Sequence, residues 1–136
     1  MHVLLVFAFI FSAHFVAMSA VGGWSDLTDE SKKSELLAYV TNDFNMRSNS
    51  LYHSKAIRVL EARKQVVAGF KYRLKLEMAA TECKKNVAHP NLESCELLNQ
   101  PTQTVTFEVW EKPGGQSREI TKFEVHLSSD NQTQSN

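Results

Sequence analysis

Strict alternation runs through the middle of the chain. Phe70, Tyr72, Leu74, Leu76 and Met78 alternate with Lys71, Arg73, Lys75 and Glu77. That period of two gives a strand with one buried face. Upstream, residues 52–64 carry Ile57, Val59 and Leu60 among mixed polar residues. They read as a strand, although Ala62, Arg63 and Lys64 are good helix formers and the pattern does not exclude a helix. Between the two lies Gln65-Val66-Val67-Ala68-Gly69. It reads as a hairpin, with Gly69 tolerant of positive φ.

The flanks follow other periods. Leu36, Leu37, Val40 and Phe44 recur at helical spacing within residues 29–47, with Asp29 and Glu30 at the positive end of the helix dipole. Ser48, Asn49 and Ser50 end that helix. Residues 83–101 form a loop broken by Pro90 and Pro101. Val105, Phe107 and Val109 predict a strand over 103–111, and Lys112-Pro113-Gly114-Gly115 a turn. A last strand over 119–127 carries Ile120, Phe123, Val125 and Leu127. The slip in period between Ile120 and Phe123 predicts a bulge. One helix that must bury its apolar stripe on an antiparallel sheet is a two-layer α+β domain.

The N-terminus does not fit this scheme. Val3 to Phe11 is an unbroken apolar run, followed by the small residues Ala17, Ser19 and Ala20. The run is too short to span a bilayer, and the small residues lie where a peptidase would cut. Residues 1–20 are therefore expected to be a signal peptide. The domain proper is expected over 21–127, and 128–136 reads as a polar tail. An exported chain meets an oxidising environment, so Cys83 and Cys95 are expected to form a disulfide. Asn131-Gln132-Thr133 is a glycosylation sequon.

Charge and chemistry then narrow the class. The 136 residues hold 15 basic and 15 acidic side chains, so nothing electrostatic argues for nucleic acid or an anionic membrane surface. There is no phosphate loop, no nucleophile motif and no second ligand pair to make a metal site with Cys83, His89 and Cys95. The chain is read as a non-enzyme without metal or cofactor. His53 reads as a surface or turn histidine, and Trp24 and Trp110 fit core or surface equally. Three places remain: an arm containing Gly22 and Gly23, the tip at 65–69, and the turn at 112–115. Exposed apolar residues at a tip, here Val66, Val67 and Ala68, either fold back or await a partner.

The segment Gln65-Val66-Val67-Ala68-Gly69 matches the QxVxG signature of the cystatins. Leu51-Tyr52-His53-Ser54-Lys55-Ala56 and Ala62-Arg63-Lys64 resemble the secreted type 2 branch. The resemblance covers residues 21–127. It implies the cystatin fold, one long helix on a curved four- to five-stranded antiparallel sheet. It also implies a reversible, tight-binding inhibitor of papain-like cysteine proteases of the cathepsin L, S or B type, extracellular and monomeric. By resemblance, Val21, Gly22, Gly23, Gln65, Val66, Val67, Ala68, Gly69, Pro113 and Gly114 form a wedge that enters the protease cleft. The arm would act as a glycine hinge.

Two departures stand out. The family usually reads Pro-Trp in the second hairpin, where Pro113 is here followed by Gly114 and Gly115. Trp110, four residues before Gly114, lies in the strand and is not read as a substitute. The second disulfide of vertebrate secreted members is absent, as in many invertebrate ones, nematodes among them. Ser48-Asn49-Ser50 matches the loop through which some type 2 cystatins inhibit legumain, with Ser50 where Asp is common; an ordinary helix-ending turn would read the same. The alternative to an inhibitor is a non-inhibitory cystatin-fold protein that binds another partner, including in immune modulation.

Overall fold

The computed structural model describes residues 22–88, 91–115 and 117–127. The expected signal peptide, Val21, His89, Asn131 and the tail lie outside them. Five strands form one antiparallel sheet in the order β1-β2-β3-β4-β5. They are β1 (Ser25–Asp26), β2 (Tyr52–Val67), β3 (Gly69–Lys84), β4 (Gln103–Glu111) and β5 (Arg118–Leu127). The helix α1 (Glu30–Arg47) precedes β2.

The helix starts where its sequence permits. Asp29 is the cap, its carboxylate accepting the Lys32 N–H at 3.0 Å. Leu36, Val40 and Phe44 of α1 are buried against Tyr72, Leu74, Leu76 and Met78 of β3 and Val105, Phe107 and Val109 of β4. Leu37, Ile120 and Phe123 pack at the margin of this core. The alternating residues of β3 and β4 therefore supply one face of the core and α1 the other.

Asn45 interrupts the apolar stripe and is buried. Its side chain spans the backbone of Ser54, accepting the Ser54 N–H at 2.7 Å and donating to the Ser54 carbonyl at 2.8 Å. These paired bonds hold the end of α1 on the start of β2. They satisfy the buried N–H and carbonyl of Ser54, near the start of the strand.

Residues 52–64 are strand throughout, which resolves the helix–strand ambiguity. Pairing with β3 decides it, overriding the helix propensity of Ala62, Arg63 and Lys64. The strand is irregular, with three register shifts, and Ile57, Val59 and Leu60 remain partly exposed. The slip in β5 is a bulge as expected: Glu108 pairs with Lys122 and Val109 with Ile120, leaving Thr121 extra. Cys83 and Cys95 form a disulfide with Cα atoms 5.8 Å apart. It closes the base of the loop that follows β3. A short 3-10 turn, Leu92–Ser94, lies within that loop.

Candidate functional site

The expected hairpin tip is tighter than a five-residue loop. Val67 pairs with Gly69, Val66 with Phe70 and Gln65 with Lys71, so only Ala68 lies outside the two strands. Such a reversal needs a positive φ, and Gly69 supplies it at 84°. A side chain is excluded there for a second reason. A Cβ on Gly69 would collide with the Glu111 carbonyl oxygen and lie 3.0 Å from both Lys112 C and Pro113 N. The tip is thus pressed against the base of the second hairpin. Val66 is 52% exposed and Ala68 is exposed too, so the apolar tip does not fold back onto its own domain.

Trp110 supports the tip from the side. Its indole N–H donates to the Ala68 carbonyl at 2.8 Å. Trp110 faces away from the core because it is out of phase with Val105, Phe107 and Val109, and the β3–β4 register sets it beside Lys71. The sequence carried that phase, but not the bond to a residue 42 positions away.

The arm lies against the other side of the tip. Gly22 N–H donates to the Val66 carbonyl at 3.0 Å, and the Gln65 side-chain amide donates to the Gly22 carbonyl at 2.8 Å. Ser25 and Asp26 then pair with Lys64 and Arg63 as β1. The expected glycine hinge is therefore fixed from Gly22 onward. The two glycines differ in role: Gly22 is bonded on both sides of its peptide, whereas a Cβ on Gly23 would meet nothing within 4 Å.

The second hairpin turns at residues 112–115, closed by the Gly115 N–H to the Lys112 carbonyl at 3.0 Å. Lys112 N–H to the Ser117 carbonyl, also 3.0 Å, closes its base. Gly114 has φ 85° and Gly115 φ 67°. Pro followed by a residue at positive φ is the chemistry of a type II turn. Gly114, which by resemblance stands where the family carries an aromatic, is therefore also the residue that permits this turn.

An ion cluster anchors that hairpin to the helix. Glu111, almost fully buried, accepts from Lys32 of α1 at 3.2 Å and from Arg118 at 2.9 Å. Arg118 also bonds Glu35, which pairs with Lys32 at 3.1 Å. Burial opposes the charge on Glu111, but hydrogen bonds from Arg118 and Lys32 outweigh it and hold its carboxyl below the ordinary range. The Glu35 carboxyl is lowered by its bonds to Arg118 and Lys32. Glu111 and Arg118 are the last and first residues of the strands flanking the turn, so the cluster fixes the root of the second hairpin.

A separate loop, residues 48–51, lies at the opposite end of β2. Ser48 caps α1 in an extended conformation with φ −70° and ψ 131°. The Ser48 hydroxyl accepts the Ser50 N–H at 3.2 Å, and the Ser50 hydroxyl accepts the Tyr52 N–H at 3.1 Å. Lys85 Nζ donates to the Asn45 and Ser48 carbonyls at 2.7 and 2.8 Å. Asn49 stands exposed on this braced loop. Residues 52–64 of β2 lie between Asn49 and the tip, a strand path of about 40 Å.

Among the described residues, no helix is long and apolar enough to cross a membrane, and no three His, Cys, Asp or Glu side chains gather as a metal site.

Comparison with known proteins adds the family. A cystatin domain family model matches residues 22–114. Cystatin cpi-2 of Brugia malayi is 38% identical over 112 residues, which covers 80% of this chain and 70% of that protein. Cystatin-C of Bos taurus is 38% identical over 103 residues, 73% of this chain and 68% of its own length. Among solved structures, Al-CPI aligns with a TM-score of 0.70 at 33% identity, covering 79% of this chain and 100% of that one. Dimeric human cystatin F aligns with a TM-score of 0.68 at 26% identity, covering 88% and 98%.

Proposed function

Because the chain belongs to the cystatin family, whose members are typically cysteine protease inhibitors, we propose that it is a secreted, reversible inhibitor of papain-like cysteine proteases of the cathepsin type. One observation carries the reading. Three chain segments far apart in sequence meet at one edge of the sheet: Gly22 bonds Val66 and Gln65, and Gly69 abuts Glu111, Lys112 and Pro113.

The physics of that edge suits occlusion of a cleft. Val66, Val67 and Ala68 present apolar surface without a charge that docking would strip of water. The tip and Gly22 are already fixed by hydrogen bonds, so little chain entropy is lost on binding. Val21 would continue the arm from Gly22 into the non-primed side of the cleft. Pro113 and Gly114 would contact the far wall. Export rests on the apolar run before Ala20 and agrees with the disulfide.

Asn49 supports a second site for legumain, an asparagine-specific cysteine protease. The specific support is its exposure on a loop held by Lys85 and two serine hydroxyls. The strand path from the tip leaves room for both proteases at once.

Binding by an edge of apolar contacts needs no bond to the catalytic thiol. The chain is expected to bind papain whose thiol carries a small carboxymethyl group, with affinity reduced but measurable by calorimetry. Binding to the free-thiol enzyme alone would indicate covalent capture and reject the wedge.

A further inference from the structure

The arm is held by more than the family motif. Trp24 follows Gly22 and Gly23 directly, and its indole lies against the guanidinium of Arg73, 4.3 Å from ring centroid to Arg73 Cζ. Arg73 is not a loose cation. Its Nε and Nη2 donate to one Glu108 oxygen at 3.0 and 2.7 Å, and Glu108 is itself almost fully buried. Lys71 approaches the other Glu108 oxygen at 3.8 Å. Glu108 and Arg73 face one another across the β3–β4 pair. Trp24 therefore stacks on a cation that the sheet has already oriented, and the contact gains from the planar fork of Arg.

We propose that Trp24, seated on the Arg73–Glu108 pair, is the positioning residue that sets the direction in which the N-terminal arm leaves the sheet. The geometry leaves it that task. Gly22 is held by one N–H and one carbonyl. A Cβ on Gly23 would meet nothing within 4 Å, and the glycine brings no side-chain contact of its own. The restraints that follow, the pairing of Ser25 and Asp26 and the bond from the Leu27 N–H to the Ala62 carbonyl at 3.0 Å, lie beyond Trp24 and do not reach back to Gly22 and Gly23. Without an anchor at Trp24, two surface hydrogen bonds would have to fix a Gly-Gly unit, whose backbone loses more freedom on ordering than any other. The indole replaces that missing restraint before the protease arrives. The proposal rests on the wedge reading only for its functional consequence; the ordering of Gly22 is a property of the free chain.

The test is a double-mutant cycle together with a measurement on the free protein. Inhibition constants for papain are measured for the chain beginning at Ala20, its Trp24→Ala variant, a truncation beginning at Gly23, and the truncation carrying Trp24→Ala. The full-arm variant is expected to weaken about tenfold, and the truncated pair to differ by less than about twofold. Trp24→Phe should recover most of the loss and Arg73→Met should reproduce it, because the first keeps a ring and the second removes the cation. An equal loss in both backgrounds, or none in the full arm, overturns the proposal. In the free chain, the Gly22 N–H order parameter is expected to fall from about 0.85 to below about 0.6 on Trp24→Ala, with the core amides of β3 unchanged. An unchanged Gly22 overturns it whatever the inhibition data show. Failure of the parent chain to inhibit papain, with Gly22 nonetheless loosened, would reject the wedge and leave the positioning role standing.

Discussion

Single positions at the tip have separable duties. Gly69 answers both to its φ of 84° and to the nearby Glu111 carbonyl, so Gly69→Ala forces the two hairpins apart. Left-handed strain alone costs about 1–2 kcal/mol; a fall in melting temperature together with at least a tenfold rise in the papain inhibition constant is expected. Gln65 acts differently. Its amide reaches the Gly22 carbonyl on the surface, so Gln65→Ala should leave the melting temperature nearly unchanged and weaken inhibition through the arm. The motif was legible in the sequence, and so was the positive φ of Gly69. Its backbone collision and the bond from Trp110 were not, because both arise from pairing with β4 rather than from local order. Asn45 was hidden for a similar reason. A polar residue on a helix reads as solvated until the facing strand supplies two backbone groups. Asn45→Ala should cost about 2–4 kcal/mol, since it leaves both groups of Ser54 unpaired, measurable by urea denaturation.

Elements depart from the sequence reading where partners outweigh propensity. The helix and the third and fourth strands follow their periodicities, because each keeps one face on the core, whereas the fifth strand packs there only through Ile120 and Phe123 and leaves Val125 and Leu127 exposed. The arm is expected by resemblance to be a glycine hinge, yet backbone bonding to β2 orders it, and β1 has too few residues to register as a period. At the second hairpin, Gly114 at φ 85° turns a missing aromatic into a trade between contact and turn geometry. Trp at Gly114 would gain protease surface worth about 2 kcal/mol if it acts as a hot spot. It would meet backbone strain of about 1–2 kcal/mol. A modest tightening with a lowered melting temperature is expected; tightening with no loss of stability would mean that the turn refolds freely. The root of this hairpin should also respond to acid. Glu111 and Glu35 ionise below their ordinary value of 4.5 in the folded chain, so their contribution is present above that value. It is lost as pH falls through the lowered folded values. Glu111→Gln should flatten part of the stability decline below pH 4.5 while lowering stability at neutral pH. A slope unchanged by the substitution would mean that other carboxylates drive acid unfolding.

At the scale of the molecule, the two candidate sites occupy opposite ends of β2, and their independence is a direct consequence. Asn49→Lys should abolish legumain inhibition and leave papain inhibition as it was. A chain saturated with papain should still take up legumain, seen as a ternary complex by size-exclusion chromatography. The α+β architecture was legible because periodicity specifies it, and the proposed wedge segments follow from one motif and the resemblance it carries. Their convergence was expected from the resemblance alone; the contacts that bring it about were not legible, because they depend on how the β2–β3 and β4–β5 hairpins abut. That convergence is the central claim, and titration of active-site-counted papain with the mature chain tests it most directly. The expected result is stoichiometric loss of activity at one inhibitor per enzyme, and loss of that potency in the Gln65→Ala, Gly69→Ala double variant. No inhibition by the parent chain at micromolar concentration, or equal potency of the double variant, would contradict it.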